Sequence, residues 1–289
     1  QDDDTTGAAP ADGALLQRLP QQGPVLGELV HRILERVDAS APDLEAELVA
    51  VADRLRARSL FPDLDLDLLG RGLAAAMRTP LGPRDDDPTL VAIAAADRRH
   101  EAGFLLPFAD TRTRIAASRL GPAVAAALPP DDPYRGFLAD LRLTWPASHA
   151  VGWLTGSVDV VARLPDGRYA VLDHKSTTLT VPVPPATPDG RTTRRPEYGA
   201  ERMHRAMRRS LLPLQGLLYL VGLHRWLGLR LAGYDPARHL GDARFLFLRG
   251  MVGPGTPVRG GVRDGVLRWN PGPEAVLVAD AVLRGEVGA

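Results

Sequence analysis

The chain has 289 residues, 45% hydrophobic and 24% charged, with a formal net charge of zero. That length allows one large domain or two small ones, and neutrality means that any anion site must come from local charge. Cysteine is absent, which excludes a disulfide framework, a thiolate zinc centre, an iron–sulfur cluster and a cysteine nucleophile, and fits a cytoplasmic setting.

Residues 1–22 are polar and rich in Asp, Gly, Pro and Gln, so they read as a flexible linker or lead-in. The acidic start lacks Met and is no signal peptide, and the chain reads as a piece of a longer protein. No apolar run reaches the length of a membrane span. In "GPVLGELVHRILERVD", Leu26, Leu29, Val30, Ile33, Leu34 and Val37 recur at helical spacing. Residues 43–56 and 64–78 are predicted helical too, and 78–90 a loop. Next come a strand over 101–109 and a helix over 114–128. Residues 148–175 read as two strands around a tight turn. The proline-rich 179–196 is predicted to be an irregular loop. One or two helices over 198–231, a strand over 243–250, a hairpin over 258–269 and a last helix over 273–285 complete the pass. There is no Walker-type phosphate loop.

Lys175, in "VLDHKSTT", is the only lysine among 35 basic residues; the rest are arginine. The turn before its strand is "RLPDGRY". Pro165 suits the second position of a type I turn and Gly167 a left-handed position after it. The resulting three-residue loop sets Leu164 against Arg168 and Asp159 opposite Asp173. A two-residue Asp-Gly turn would instead pair Asp159 with His174. Opposed residues lie roughly 4.5–5.5 Å apart at Cα, and two carboxylates that close repel without a cation between them. Magnesium, held by oxygens at about 2.0–2.1 Å, fits that gap. Lys175 emerges on the face of Asp173. Two acids and a compact ammonium suit metal-assisted hydrolysis, where the ammonium stabilises charge on a phosphate or orients water. An exposed Asp-x-Lys pair is more often a surface ion pair of little worth.

These residues resemble a known family. "GSVDVVARLPDGRYAVLDHKS" is similar to the Gly-x-x-Asp … Asp-x-Lys core of the PD-(D/E)xK nucleases, and more narrowly to the C-terminal nuclease domain of RecB, the beta subunit of exodeoxyribonuclease V. "GELVHRILE", "TPLG", "YGAERMHRAMRRSLLPLQGLLYLVGLHRWL" and "ARFLFLRGM" resemble further blocks of that family in the same order, so the likeness runs over about 23–285. It implies that Asp159 and Asp173 bind metal, Lys175 is catalytic, His31 is a metal ligand, and Gln215 with Tyr219 positions substrate or site groups. Glu101 is a looser match to an acidic residue ahead of the core strands. His174 and Thr177 depart from the pattern, standing where the family often has Tyr and Asn.

By itself, His31 is an ordinary helix histidine, and Glu28 and Glu35 beside it read as a solvated face; the resemblance is what makes His31 a ligand. Gln215 and Tyr219 share one helix face. The stretch 191–210 carries seven arginines against two acids. Such runs are usually solvated surface, but this one precedes the Gln-x-x-x-Tyr helix, which favours phosphate tracking by Arg194, Arg195, Arg202, Arg205 and Arg209.

The expected fold is α/β: a mixed central sheet flanked by helices, of the PD-(D/E)xK restriction-endonuclease-like kind, with an N-terminal helical region. The expected layout is a lead-in over 1–22 and a nuclease domain over 23–285, mainly helical to 145 and catalytic from 146. The resemblance implies a Mg²⁺-dependent deoxyribonuclease, with Mn²⁺ as a substitute. The resemblance further implies that cleavage leaves a 5′-phosphate and a 3′-hydroxyl and serves double-strand break repair and recombination. DNA, RecC, RecD and an upstream RecB helicase region would be its partners. Two alternatives stand beside this reading. One is a related nuclease of the AddB or CRISPR-associated type, against which the missing cysteines argue. The other is a non-catalytic DNA-binding scaffold, against which the intact Asp-x-Lys argues.

Overall fold

The computed structural model describes residues 14–56, 63–107, 117–141, 153–183 and 193–286. A 3-10 turn (Leu15–Arg18) precedes α1 (Pro24–Arg36), α2 (Leu44–Arg56) and α3 (Leu66–Met77). Then come β1 (Arg98–Pro107), α4 (Ala117–Ala127), α5 (Arg135–Ala139), β2 (Trp153–Arg163), β3 (Tyr169–Lys175), β4 (Thr180–Val183) and β5 (Thr193–Pro196). The chain continues through α6 (Ala200–Arg209), α7 (Leu212–Arg230), α8 (Pro236–His239) and β6 (Leu240–Phe247), then a 3-10 turn (Leu248–Gly250). It ends with β7 (Val258–Arg259), β8 (Val262–Arg263), β9 (Val266–Trp269) and α9 (Gly272–Arg284). The fold is thus α/β as expected, a five-stranded mixed sheet flanked by helices. No described helix is long and apolar enough to cross a membrane.

The chain divides into two compact units. The first comprises residues up to 92, 174–200 and 246–266. Here α1 buries the predicted stripe of Leu26, Leu29, Val30, Ile33 and Leu34. Each such side chain contributes about 1.5–3 kcal/mol when fully removed from water. α1 packs on α2, and α2 on α3. Residues 14–22, read from composition as part of a flexible lead-in, carry the first 3-10 turn, whose Leu15 and Leu16 are buried, as is Leu19 just after it. Three leucines at close spacing outweigh the polar residues around them.

In the same unit, the expectation of an irregular loop over 179–196 is corrected at its two ends. β4 and β5 form an antiparallel ladder in which Pro182 faces Arg194 and Thr180 faces Pro196. A two-stranded ribbon has two open edges, so prolines can sit where no ladder N–H is needed. Residues 184–192 lie outside the described residues. The hairpin expected over 258–269 is divided: β7 pairs with β8, whereas β9 joins the main sheet.

The second unit comprises 93–173, 201–245 and 267 onward. It holds most of the sheet, whose strand order is β1-β2-β3-β6-β9. β6, LGDARFLF, is buried throughout. Gly241 lets it approach β3 closely, for an added Cβ would come 2.6 Å from the Tyr169 carbonyl oxygen. α7 packs on the sheet through Gly216, where a Cβ would meet Phe245 at 2.9 Å. α4 packs against α5 and α9, and α7 against α9. Asp280 of α9 is buried and paired with Arg225 of α7 and with Arg284.

Candidate metal centre

The turn between β2 and β3 sets the geometry of the acids. Leu164 donates its N–H to the Arg168 carbonyl at 2.8 Å, Gly167 donates to the Leu164 carbonyl at 2.9 Å, and Gly167 has φ +82. This is the three-residue loop that Pro165 and Gly167 predict. Its register pairs Val161 with Val171 and Val160 with Leu172. The ladder stops there, and Asp159 and Asp173 are the next residues outward on the two strands. Asp173 is 3% exposed and Asp159 half-buried.

β1 brings a third acid. His100 pairs with Val160 and Ala102 with Val158, so Glu101 stands level with Asp159 on the other side of β2. Glu101 and Asp159 each offer a carboxylate oxygen, and these lie within 4.8 Å of each other. Glu101 has φ 45, a left-handed conformation that a residue other than glycine or asparagine adopts at a cost. The Ser157 hydroxyl, two residues before Asp159, donates to Glu101 Oε2 at 2.7 Å. Sequence reasoning did not single out Ser157. Its position on the same strand face as Asp159 was the available signal.

α7 supplies Gln215 and Tyr219. The Gln215 amide donates to the Tyr219 hydroxyl at 2.6 Å, and the tyrosine ring meets Phe104 of β1 edge to face at 5.9 Å between centroids. The Tyr219 pKa is raised, first by burial and then by the negative charges of Asp173 and Asp159, with a smaller contribution from Glu101; the Gln215 hydrogen bond pulls the other way. Its hydroxyl therefore lies in the field of all three acids and stays protonated.

The donor set suits a hard cation. Carboxylate oxygens are what magnesium and manganese bind, and a cation among them offsets the mutual repulsion of acids held this close.

In the first unit, α1 carries His31. Its Nε2 lies 2.9 Å from the His174 carbonyl oxygen. A carbonyl only accepts, so Nε2 carries a proton and donates; in a neutral ring Nδ1 then holds the lone pair. A backbone carbonyl on the far ring nitrogen is the usual way to fix a metal-ligating histidine. Lys175, half-buried, ends β3 two residues after Asp173.

The arginines fall into two groups. Arg194 and Arg195 are exposed on β5, where Arg194 donates to the Thr180 hydroxyl at 2.8 Å and to the Thr180 carbonyl at 3.1 Å. Arg202, Arg205 and Arg209 follow one face of α6, while Met203 and Met207 are buried on another. Arg205 pairs with Glu201 at 2.5 Å.

No protein-family profile matches the chain. Curated relatives do. It is 41% identical over 298 aligned residues to the RecB subunit of the RecBCD enzyme of Mycobacterium tuberculosis, covering 97% of this chain. It is 38% identical over 295 residues to the RecB subunit of Mycolicibacterium smegmatis, covering 98%. This chain is homologous to part of RecB. It spans about a quarter of each of these two relatives, 26% of their length. RecB of Escherichia coli is 27% identical over 225 residues, or 78% of this chain.

Proposed function

We propose that this chain is a metal-dependent deoxyribonuclease domain, the C-terminal nuclease part of a RecBCD-type helicase–nuclease that processes double-strand breaks for repair and recombination. The observation that carries the reading is the level placement of Asp159 between Asp173 and Glu101, with all three charges acting on Tyr219. The RecB homology over nearly the whole chain supports it.

Asp159, Asp173 and Glu101 would hold Mg²⁺ or Mn²⁺, and the RecB resemblance adds His31 as a nitrogen ligand. Imidazole suits manganese better than magnesium. A bound ion supplies Lewis acidity, activating water and neutralising the scissile phosphate. The protein's own groups do the rest. Lys175 places a point charge beside the developing phosphate negative charge or orients the attacking water. Tyr219, kept protonated, donates toward an oxygen of the substrate or of a carboxylate, and Gln215 fixes its direction. Arg194 and Arg195 on β5, and Arg202, Arg205 and Arg209 on α6, track the phosphate backbone. Phosphodiester hydrolysis leaves a 5′-phosphate and a 3′-hydroxyl. RecC, RecD and an upstream helicase region are the proposed partners.

The test is digestion of linear single- and double-stranded DNA by the purified chain at graded Mg²⁺, with an Asp159→Ala control. Metal-dependent cleavage by the wild type alone is expected. Failure to cleave either substrate sinks the reading and leaves a non-catalytic DNA-binding module; equal cleavage by the control removes Asp159 from the site.

A further inference from the structure

We infer that Arg249 is a positioning residue for Lys175, and that the segment Leu16–Gln21 is the seat that holds Arg249 in place. This rests on the role proposed above for Lys175.

Arg249 is 3% exposed. A buried guanidinium carries five N–H donors and needs acceptors for them. Its Nε donates to the Ser176 carbonyl at 2.9 Å. One terminal nitrogen donates to the carbonyls of Leu16 at 2.5 Å and Leu19 at 3.2 Å, and the other to that of Gln21 at 2.6 Å. Gln17 returns a bond from its side-chain amide to the Arg249 carbonyl at 2.8 Å. One planar group thus ties the residue directly after Lys175 to a segment near the start of the chain. Buried Leu15, Leu16 and Leu19 anchor that segment.

The carbonyl on the other side of Lys175 is held as well, since His31 donates to His174. α1 also crowds Ser176, where a Cβ on Gly27 would come 3.1 Å from the serine hydroxyl. Beyond it, the Tyr198 hydroxyl lies 3.4 Å from both the Thr177 carbonyl and the Leu179 N–H. Lys175 therefore leaves a strand end whose backbone is gripped before and after it. A lysine stem is flexible, so aiming its ammonium depends on the direction of Cα–Cβ. The grip fixes that direction. Three of the four carbonyls that seat Arg249 come from Leu16–Gln21. Loosening this segment removes most acceptors of a buried cation, and the guanidinium then turns away from Ser176. Lysine cannot replace the fork, because one ammonium does not span carbonyls from two segments.

The experiment compares wild type, Arg249→Lys, and a milder seat variant, Leu19→Ala, all in the full chain. Each is made with and without Lys175→Ala. Hydrogen exchange of the peptide over 174–180, DNA binding, and kcat and KM for linear DNA are measured. Both variants are expected to speed exchange at 176–179 by at least about tenfold. They should lower kcat by at least about tenfold with KM and DNA affinity little changed, and have no further effect where Lys175 is already alanine. Unchanged exchange at 176–179 overturns the proposal. So does an equal kcat loss in the Lys175→Ala background, which marks a merely structural arginine. If Arg249→Lys does not fold, the seat variant decides alone. If the wild type does not cleave DNA, the nuclease reading falls separately, and the exchange measurement still decides whether the seat governs the strand end.

Discussion

Asp159 and Asp173 stand level on adjacent antiparallel strands, one step beyond Val160 and Leu172, the last pair of the β2–β3 ladder. Loop length alone fixes this. One residue fewer in the turn would set Asp159 against His174 and turn Asp173 to the opposite face of the sheet. Replacing Asp173 by alanine is accordingly expected to lower cleavage by on the order of 10²–10³ or more. The fold and DNA binding should survive. Relief of repulsion should leave the metal-free protein as stable as the wild type or more so. Cleavage at the wild-type rate would remove Asp173 from the site.

Metal should raise the melting temperature of the wild type. A ligand that binds only the native state adds about 2.7 kcal/mol at a hundred times its Kd. The Asp159→Ala, Asp173→Ala double variant should show little of this shift. Thermal unfolding with and without Mg²⁺ checks it, and an equal shift in both proteins would place the ion elsewhere.

Lys175→Arg is expected not to restore activity, although the charge is kept. Guanidinium is broader, planar and longer than ammonium. Displacement by about 1 Å at a reacting centre can cost on the order of a hundredfold. Steady-state cleavage at matched Mg²⁺ and salt is the measurement, since phosphate contacts make binding salt-dependent. Activity within a few-fold of wild type would reduce Lys175 to half of a surface ion pair.

Stability should fall as the solution is acidified, in part through His204. Its Nδ1 lies 2.7 Å from the hydroxyl of the fully buried Tyr134. Burial first, and Arg208 second, lower the His204 pKa below its ordinary 6.5. The unfolded chain then takes up a proton at a pH where the fold does not. The stabilisation is fully present above about 6.5 and is lost as the pH falls through the folded-state value. His224 shifts the same way. Melting temperatures between about pH 8 and about pH 5 should therefore decline more steeply for wild type than for His204→Gln. Parallel declines would show that His204 does not titrate as described.

Local order determined much of this protein. The stripe of α1 is legible because buried positions recur at the period of the helix. The β2–β3 register is legible because Pro165 and Gly167 restrict a turn to one shape, and that shape carries Asp159 and Asp173 with it. Lys175 is legible as the one lysine in an arginine-rich chain. Other features depend on partners distant in sequence, and periodicity cannot reach them. Glu101 comes level with Asp159 only because β1 pairs with β2 around a left-handed residue. Leu15 and Leu16 form a buried turn only once a core exists to receive them. Pro182 and Pro196 sit in a ladder because β4 and β5 find each other, and among the described residues no further strand pairs with their outer edges. Arg249 lies in the apolar run FLFLRGM, where a charged residue signals burial but not its acceptors. Those are carbonyls near the start of the chain and after Lys175, and backbone carbonyls carry no mark in the sequence, so only the tertiary structure assigns them.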